Sequence, residues 1–396
     1  MPTQTISKRV PWILALGMFV IGTTSLSILG LGPALTRDLA TDPADAGWLV
    51  TAFAATFALA APLAQFALGQ RLAPRTLILA GASILAASLV WSALASSFQA
   101  LLIARIASAL GGALIAPTSA ALAISLVPAD RRGAVLATVF AGFTLATVGG
   151  VPVATWLTLL LGWRGAIAAI GLAAVLFVAL AAIYMPRNAD TANAPRKRPS
   201  ESFPLLAPAL LLAGTVGMLS AQFVIYALMG ELLGQQFGVS ASGLPIAILL
   251  FGVLGVAGNA AAGALSDRVG PGPLVWASFG GLAAFLFLMF LDLGPYLGAM
   301  ALAGCAFMGT LFATPQQSRL VGLVAQEHHG FVLALNSSAS YLGIAVGSAS
   351  ANALAINTGL WALPIGALGL LALTAVVTVA FGSFSRSERV RAKRKS

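Results

Sequence analysis

Residues 134–163 read AVLATVFAGFTLATVGGVPVATWLTLLLGW and contain no charged side chain. A helix needs about 20 apolar residues to cross the roughly 30 Å of hydrocarbon in a bilayer, so this stretch is long enough to span a membrane. Comparable uncharged runs lie on both sides of it, at residues 10–36, 46–70, 202–230 and 330–385. The chain is therefore expected to cross a membrane several times.

The composition of the chain supports the same conclusion. Apolar residues make up 59% of the 396 positions, charged residues only 8%, and the mean hydropathy is +0.97, whereas about a quarter of an ordinary soluble domain is charged. The formal charge of +10 comes from short basic segments between apolar runs, so no nucleic-acid partner is expected. Cys305 is the only cysteine, which excludes an intramolecular disulfide.

Glycine, proline, small polar and charged residues divide the apolar runs into twelve predicted spans. The expected fold is an all-α membrane protein of twelve transmembrane helices in two six-helix, pseudo-symmetric halves. The predicted spans are residues 11–35, 46–69, 76–94, 99–124, 134–160, 164–185, 205–230, 243–265, 272–291, 296–317, 331–355 and 360–383.

The basic residues predict the orientation and the domain organisation. An even number of spans places both termini on one side, and nearly all of the 21 Lys and Arg residues fall there, except Arg37, Arg105 and Arg164. The positive-inside rule then predicts an inner-membrane protein with both termini cytoplasmic. The predicted parts are a six-helix bundle at 1–186, a cytoplasmic linker at 187–203, a second bundle at 204–385 and a basic cytoplasmic tail at 386–396.

A shift of 197 residues superposes two separate regions of the sequence. It places Leu68, Arg71 and Pro74 on Leu265, Arg268 and Pro271, and Gly133, Val135, Leu136, Ala137 and Gly150 on Gly330, Val332, Leu333, Ala334 and Gly347. One offset of about half the chain indicates duplication, and it predicts two parallel halves around a central cavity with the substrate near the middle of the membrane.

The segment GALSDRVG at residues 263–270 lies between two predicted spans on the cytoplasmic side. It is similar to the loop signature of the major facilitator superfamily, and nearly the whole chain resembles that family's drug:proton antiporter group, which includes arabinose and other sugar efflux permeases. The resemblance implies the fold of that family. It also implies a cytoplasmic gate, in which Asp267 accepts from helix N-terminal amides, Arg268 pairs with an acid or carbonyls, and Gly263 and Gly270 permit close helix approach.

The alternative interpretation of this segment is a turn with an arginine that only fixes the topology. The corresponding loop of the first half, LGQRLAPR at residues 68–75, keeps Arg71 but has Gln70 where the family usually has aspartate. A gate there would lack its carboxylate.

Two more segments resemble family motifs. Arg105 matches the arginine of the fourth span, and because a charge is costly in lipid it is expected to face the protein interior or a wet cavity, or else to extend toward the outer interface. ATVGGVP at residues 146–152, with Gly142 upstream, resembles the antiporter motif of the fifth span. Gly142, Gly149 and Gly150 permit close packing and Pro152 can bend the helix, although ordinary packing would use the same residues.

The acidic residues are informative by their placement. Proton-coupled exporters commonly use a carboxylate within the membrane, yet all eleven acids lie in loops or near span ends. Ser25 stands where many relatives have glutamate, and Glu231, near the outer end of the seventh span, is the remaining candidate for proton coupling. The lack of a central acid disfavours strongly cationic substrates, because nothing there would offset the loss of their hydration.

Polar residues within the spans are the candidate substrate contacts, and each is equally suited to hydrogen bonding between helices. Gln222 and Tyr226 are four residues apart, as are Ser337 and Tyr341, so each pair shares a helix face. The full set of candidates is Thr23, Thr24, Ser25, Arg105, Gln222, Tyr226, Asn336, Ser337 and Tyr341.

These observations predict a transporter that exports a small organic compound, a sugar or a neutral or anionic drug-like molecule, by alternating access in exchange for protons. Facilitated diffusion or import of a polar metabolite is the first alternative, and a membrane receptor that does not transport is the second. The expected partners are the substrate, protons and membrane lipids, and the expected state is a monomer. No nucleophile-base pair, metal-ligand cluster or phosphate loop occurs in the sequence, so no enzymatic activity, cofactor or metal is expected.

Overall fold

A computed structural model of the protein describes residues 9–68, 71–128, 131–186, 206–291, 294–324 and 329–393. Within these ranges every regular element is a helix, so the predicted all-α fold is confirmed. The elements are α1 (Val10–Leu26), α2 (Ile28–Asp38), α3 (Ala46–Ala67), α4 (Pro74–Leu94), α5 (Phe98–Ser125), α6 (Arg132–Leu145), α7 (Val151–Tyr184), α8 (Leu206–Tyr226), α9 (Met229–Glu231), α10 (Leu244–Val269), α11 (Pro271–Leu288), α12 (Gly294–Val321), α13 (His329–Thr358) and α14 (Leu363–Lys393).

The helices match the membrane in length and hydropathy. Ten helical stretches are long and apolar enough to cross it, and α1 with α2, which meet at an angle of 47°, form an eleventh span. The longest stretch, Val135–Tyr184, has 50 residues. Gly162 interrupts it with φ 69° and ψ 171°, a conformation that favours glycine. Counting the segments before and after Gly162 as separate spans, as the sequence predicts, raises the eleven to twelve within the described residues.

Large apolar side chains cover the outward surface of these helices. Leu94, Leu172 and Ile183 expose 75%, 72% and 70% of their area. Extensive apolar exposure is a liability in water, but in a bilayer the same side chains contact hydrocarbon. The outer surface is therefore the face toward lipid.

The sequence repeat is also a structural repeat. α4 begins at Pro74 and α11 at Pro271, while α6 begins at Arg132 and α13 at His329. The start positions differ by 197 residues in each pair. Proline suits the first position of α4 and α11 because the amide there would have no helical partner.

The described residues form two compact units. The first comprises those of Met1–Pro195 with Ser240–Leu249, and the second those of Arg196–Val239 with Leu250–Ser396. The predicted linker at 187–203 lies outside the described residues, which resume at Leu206 with α8. α14 continues as a helix to Lys393, into the predicted basic tail.

Candidate substrate site

Arg105 lies in α5 and points into the first unit. Only 4% of the residue is exposed. Its Nη1 donates to the carbonyl oxygen of Thr24 at 2.5 Å and its Nη2 to that of Ser25 at 3.1 Å, and its Nε donates to the carbonyl oxygen of Leu49 at 3.4 Å. One side chain of α5 therefore links α1 and α3.

The bend between α1 and α2 makes the carbonyls of Thr24 and Ser25 available. α1 ends at Leu26 and α2 begins at Ile28, and the last carbonyls of a helix have no amide partner within it. The hydroxyl of Ser27 donates to the carbonyl of Thr24 as well, at 3.2 Å. A guanidinium also carries the charge that a helix C-terminus favours. Arg105 thus stabilises the bend.

The charge of Arg105 is balanced without an acid. Among the described residues, no carboxylate lies within ion-pair distance of it. Its guanidinium carbon lies 4.8 Å from the ring centroid of Phe53, within range of a cation–π interaction. Three backbone carbonyls and one aromatic ring are therefore its partners within the described residues.

The neighbouring hydroxyls of α1 are buried without hydrogen bonds. Thr23 and Thr24 are 3% and 1% exposed, and neither Oγ1 has a partner among the described residues. Ser25 is buried too. The structure therefore brings Thr24, Ser25 and Arg105 together through the backbone of α1, while the threonine hydroxyls remain available.

The predicted antiporter motif packs against α1. A Cβ added at Gly142 would collide with the backbone carbonyl of Ala15, and one at Gly150 would collide with the hydroxyl oxygen of Thr23. Glycine at these two positions is what permits the close approach of the first and fifth spans.

The same motif interrupts its own helix. Residues Ala146–Gly150 form a π-helical turn, in which the amide of Val151 donates to the carbonyl of Ala146. Pro152 follows at once and has no amide hydrogen to donate. Such single π turns occur frequently at functional sites.

In the second unit, α8 carries two buried candidates. Gln222 and Tyr226 are 5% and 4% exposed, and neither Nε2 of Gln222 nor the hydroxyl of Tyr226 has a partner among the described residues. The amide of Gln222 lies against Gly309 of α12, where an added Cβ would be 2.5 Å from its Oε1. The ring of Tyr226 makes an edge contact with Phe251 at 4.8 Å between centroids.

Glu231 lies just beyond α8. It is the last residue of the short helix α9, and the π-helical turn Leu232–Gln236 follows it. Only 1% of Glu231 is exposed, and its Oε1 has no hydrogen-bond partner among the described residues. A buried carboxyl without a cationic partner is far less costly when it is protonated.

The three candidates of α13 lie in different surroundings. Oδ1 of Asn336 accepts from Thr215 at 2.9 Å, and Gln316 donates to the carbonyl of Leu211 at 2.7 Å nearby, so this network joins α8, α12 and α13. Ser337 is exposed and donates to the carbonyl of Leu333 of its own helix. Tyr341 is half-buried. Asn336 thus takes part in bonding between helices, and a contact with substrate at these three residues stays a prediction.

The residues of the predicted gate lie at helix ends. Gly263, Asp267 and Arg268 belong to the last turns of α10, and Gly270 forms the turn into α11 with φ 84°. The side chain of Asp267 lies outside the described part of the chain, while Gly263 and Arg268 are exposed. Arg71 is exposed in the turn between α3 and α4. The gating role stays a prediction.

Several polar contacts escaped the sequence analysis. Asp38 of α2 accepts from Arg164, in an ion pair, and from the indole of Trp163 at 3.0 Å, and Arg164 also donates to the carbonyl of Ala95 at 2.9 Å. The sequence does place Asp38 and Arg164 on the same outer side with opposite charges. Thr215 and Gln316 were also missed, although both are polar residues within apolar spans.

Comparison with known proteins places the chain in a family. The family model described as "Major Facilitator Superfamily" matches residues 14–319 and 210–396. The inner membrane transport protein YdhP of Escherichia coli (strain K12) is 31% identical over 350 residues, 88% of each chain. A chloramphenicol resistance protein of Streptomyces lividans is 31% identical over 261 residues, 65% of this chain and 66% of that protein.

Solved structures show the same fold. A bacterial homolog of the human lysosomal transporter Spinster superposes with a TM-score of 0.75 at 16% identity, covering 96% of this chain and 97% of that one. The POT family transporter PepTSo superposes with a TM-score of 0.74 at 11% identity, covering 97% and 98%. The helices, the buried polar groups and these matches together define a multi-pass membrane transporter. The chain belongs to the major facilitator superfamily, as its motifs predicted.

Proposed function

We propose that this protein exports a small neutral or anionic organic compound by alternating access, in exchange for protons. The observation that carries the proposal is the kind of polar group that the spans bury. Within the described residues, Arg105 and Glu231 are the only buried ionisable groups of opposite charge, and the other buried polar side chains are neutral hydroxyls and amides. Such a set binds neutral polar or anionic groups better than cations.

The sequence relatives narrow the class of substrate. One relative is named as a chloramphenicol resistance protein, and chloramphenicol is a neutral, drug-like molecule with hydroxyl and amide groups. The unpartnered hydroxyls of Thr23 and Thr24 and the unpartnered amide of Gln222 offer hydrogen bonds to such groups. A neutral drug-like compound is therefore favoured over a sugar, and chloramphenicol is the first compound to test.

Glu231 is the proposed proton carrier. Its burial and its unpartnered oxygen favour the protonated form, and release of the proton requires a conformation in which water reaches the carboxyl. Import of protons down their gradient would thereby drive export of the substrate. In this proposal Asp267 and Arg268 form the cytoplasmic gate. The protein is a monomer in the inner membrane, and both of its termini are cytoplasmic.

Flux in proteoliposomes tests this proposal. With the purified full chain in vesicles, we expect saturable counterflow of radiolabelled chloramphenicol that an imposed pH gradient accelerates. Saturable counterflow without any response to the gradient would identify a facilitator instead. Binding without counterflow would identify a receptor and would refute the transport proposal.

A substitution separates Glu231 from the general response to pH. In the Glu231→Gln variant we expect counterflow to persist and the acceleration by the pH gradient to be lost, because the amide cannot carry a proton. Asp42→Asn is the matched control, since Asp42 is exposed and its side chain accepts from the amide of Ala44, which asparagine can also do. Gradient-driven flux at the parent level in Glu231→Gln would rule out this carboxyl as the carrier.

A further inference from the structure

An asparagine within a membrane span of the second unit is exposed. Asn259 belongs to α10 and lies seven residues before Ser266, the end of the span Leu244–Ser266, which is about 10 Å along the helix at roughly 1.5 Å per residue. A side-chain amide at that depth is costly against hydrocarbon, where nothing replaces its bonds to water. An exposed polar residue within a membrane helix therefore belongs on a surface that water reaches.

The exposed apolar side chains of α10 lie on another face of the helix. Ile246, Leu249 and Val253 expose 69%, 41% and 44% of their area, and their spacing of three and four residues places them in one stripe. At about 100° per residue, Asn259 is turned about 120° around the helix from Val253. The apolar stripe suits contact with lipid, so the face that carries Asn259 is directed elsewhere.

Asn259 lies beside the contact between α10 and α12. A Cβ added at Gly258 would collide with the backbone carbonyl of Phe307, and the hydroxyl of Thr310 donates to the carbonyl of Gly255 at 2.6 Å. Glycine at these positions brings the backbones of the two helices close together. α12 therefore supports α10 directly beside Asn259.

Thr314 of α12 orients the amide of Asn259. A threonine within a helix can bond to the carbonyl four residues earlier, as Thr155 does at 2.9 Å. The hydroxyl of Thr314 instead donates to Oδ1 of Asn259 at 3.2 Å. An amide whose oxygen is held in this way presents its nitrogen, with two N–H donors, on the other side. Neither of these N–H groups has a partner within the described residues.

We propose that Asn259 lines the substrate path in the second unit and donates hydrogen bonds from its amide to an acceptor group of the transported compound, with Thr314 as a positioning residue. The inference rests on the proposed transport of a neutral or anionic compound, and it names a group that would select such a compound. Carbonyl and carboxylate oxygens accept hydrogen bonds, whereas an ammonium group cannot. The amide carbonyl of chloramphenicol is an acceptor of this kind.

Thiol labelling tests the position of Asn259 without any substrate. With the full Asn259→Cys chain in lipid nanodiscs, mass spectrometry measures the rate of reaction with a water-soluble, permanently charged methanethiosulfonate. The reacting thiolate forms in water, so we expect labelling about tenfold faster, or more, than in Val253→Cys, which lies in the apolar stripe of the same helix. The native Cys305 is buried and gives the background rate. Equally slow labelling of both variants would place Asn259 against lipid and overturn the proposal.

Counterflow of chloramphenicol tests the contact itself. Asn259→Ala should raise the half-saturating concentration about twofold to tenfold, as expected for the loss of one net hydrogen bond, and should change the maximal rate little. Asn357→Ala is the matched control, because the amide of the exposed Asn357 donates to the carbonyl of Ala353 in its own helix at 2.7 Å. This control should keep the half-saturating concentration of the parent. The parent value in Asn259→Ala would refute the contact.

The positioning role of Thr314 is tested through Asn259. Thr314→Val should raise the half-saturating concentration less than Asn259→Ala does, and Thr314→Ser, which retains the hydroxyl, should restore the parent value. In the Asn259→Ala background Thr314→Val should have no further effect, because the two residues act as one unit. Additive effects of the two substitutions would refute the positioning role.

The two measurements separate this inference from the proposed function. Rapid labelling of Asn259→Cys without any chloramphenicol counterflow in the parent would support the place of Asn259 on a wet surface and refute the proposed substrate. Chloramphenicol counterflow in the parent with labelling of Asn259→Cys as slow as that of Val253→Cys would support the proposed function and refute this inference. We expect every variant at Asn259 to unfold at the parent temperature, because the residue is exposed and its replacement leaves no buried cavity.

Discussion

The first unit stabilises the end of α1 with a buried arginine, whereas the second unit has Leu302 at the position 197 residues after Arg105. Leu302 is buried to the same degree, at 1% exposed. In the second unit the equivalent of Ser25 is Gln222, a neutral residue whose amide nitrogen has no partner within the described residues. The two repeats thus share helix boundaries but differ in what they bury. At these positions the first unit uses a cation to hold a bent helix, and the second has an apolar residue and a neutral amide.

The fifth and eleventh spans differ in the same way. Pro152 follows a π-helical turn in the first unit, while Ala349, its equivalent, lies inside the uninterrupted helix α13 of 30 residues. Gly150 and Gly347 are equivalent. Gly150 permits close approach to α1 at Thr23, and Gly347 permits close approach to α8 at Ser220. The close packing is therefore common to both units, and the distortion belongs to the first alone.

The largest expected loss of stability comes from replacing Arg105 with leucine, the residue at the equivalent position 302 of the second unit. Arg105→Leu removes two charged donors, so that the carbonyl of Thr24 keeps only the hydroxyl of Ser27 and the carbonyl of Ser25 loses its side-chain donor. A hydrogen bond to a charged group contributes about 1.5–3 kcal/mol, so we expect thermal unfolding in a fixed lipid or detergent to show a loss of about 3–6 kcal/mol, with transport abolished. Leu302→Met, a change of similar volume in the second unit, should cost less than about 1.5 kcal/mol.

Arg105→Lys sharpens this result. Lysine retains the charge but lacks the planar fork that reaches two carbonyls at once, so its stability should fall between that of the parent and that of Arg105→Leu. If Arg105→Leu unfolds like the parent, the arginine does not hold the bend, and the contrast between the units has no energetic basis.

A smaller effect, of opposite sign, is expected at the π-helical turn. Pro152→Ala restores the amide hydrogen that Ala349 provides in the second unit, and a proline inside a helix costs about 3 kcal/mol. We expect a stabilisation of up to that size, together with slower transport. Amide hydrogen exchange at residues 146–152 measures the change locally, and protection there should rise. Exchange and flux at the parent level would show that the proline has no part in shaping this segment.

The smallest effect is expected at the outer ion pair of the first unit. The side chains of Asp38 and Arg164 are 48% and 41% exposed, and their equivalents in the second unit are the uncharged Gln235 and Trp361. Asp38→Asn retains an acceptor for Trp163 but removes the charge. We expect a slightly lower melting temperature at low salt and no difference at 1 M salt, where the Debye length is about 3 Å. A large difference that persists at high salt would mean that the pair is more than a screened surface contact.

The spans, the repeat and the family were accessible from the sequence because each depends on local information. Twenty apolar residues must cross a bilayer as a helix whatever surrounds them, so residues 134–163 and the other uncharged runs predicted spans that the structure contains. The segment GALSDRVG predicted a turn between two spans, and Gly270, with its positive φ, forms that turn. The functional roles of Arg105, Glu231 and the gate residues remain predictions.

What the sequence alone determined is the number of membrane crossings, the duplication and the types of polar residue available within the spans. What only the tertiary structure decided is which of those polar groups are paired. Arg105 bonds to α1 because α5 packs beside the bend, and Asn336 joins a network across three helices. Thr23 and Gln222 keep polar atoms without a partner in the described part of the chain. The physical reason is that hydropathy is a property of each residue, whereas a hydrogen bond between helices requires a second group, which the packing of distant spans brings beside the first.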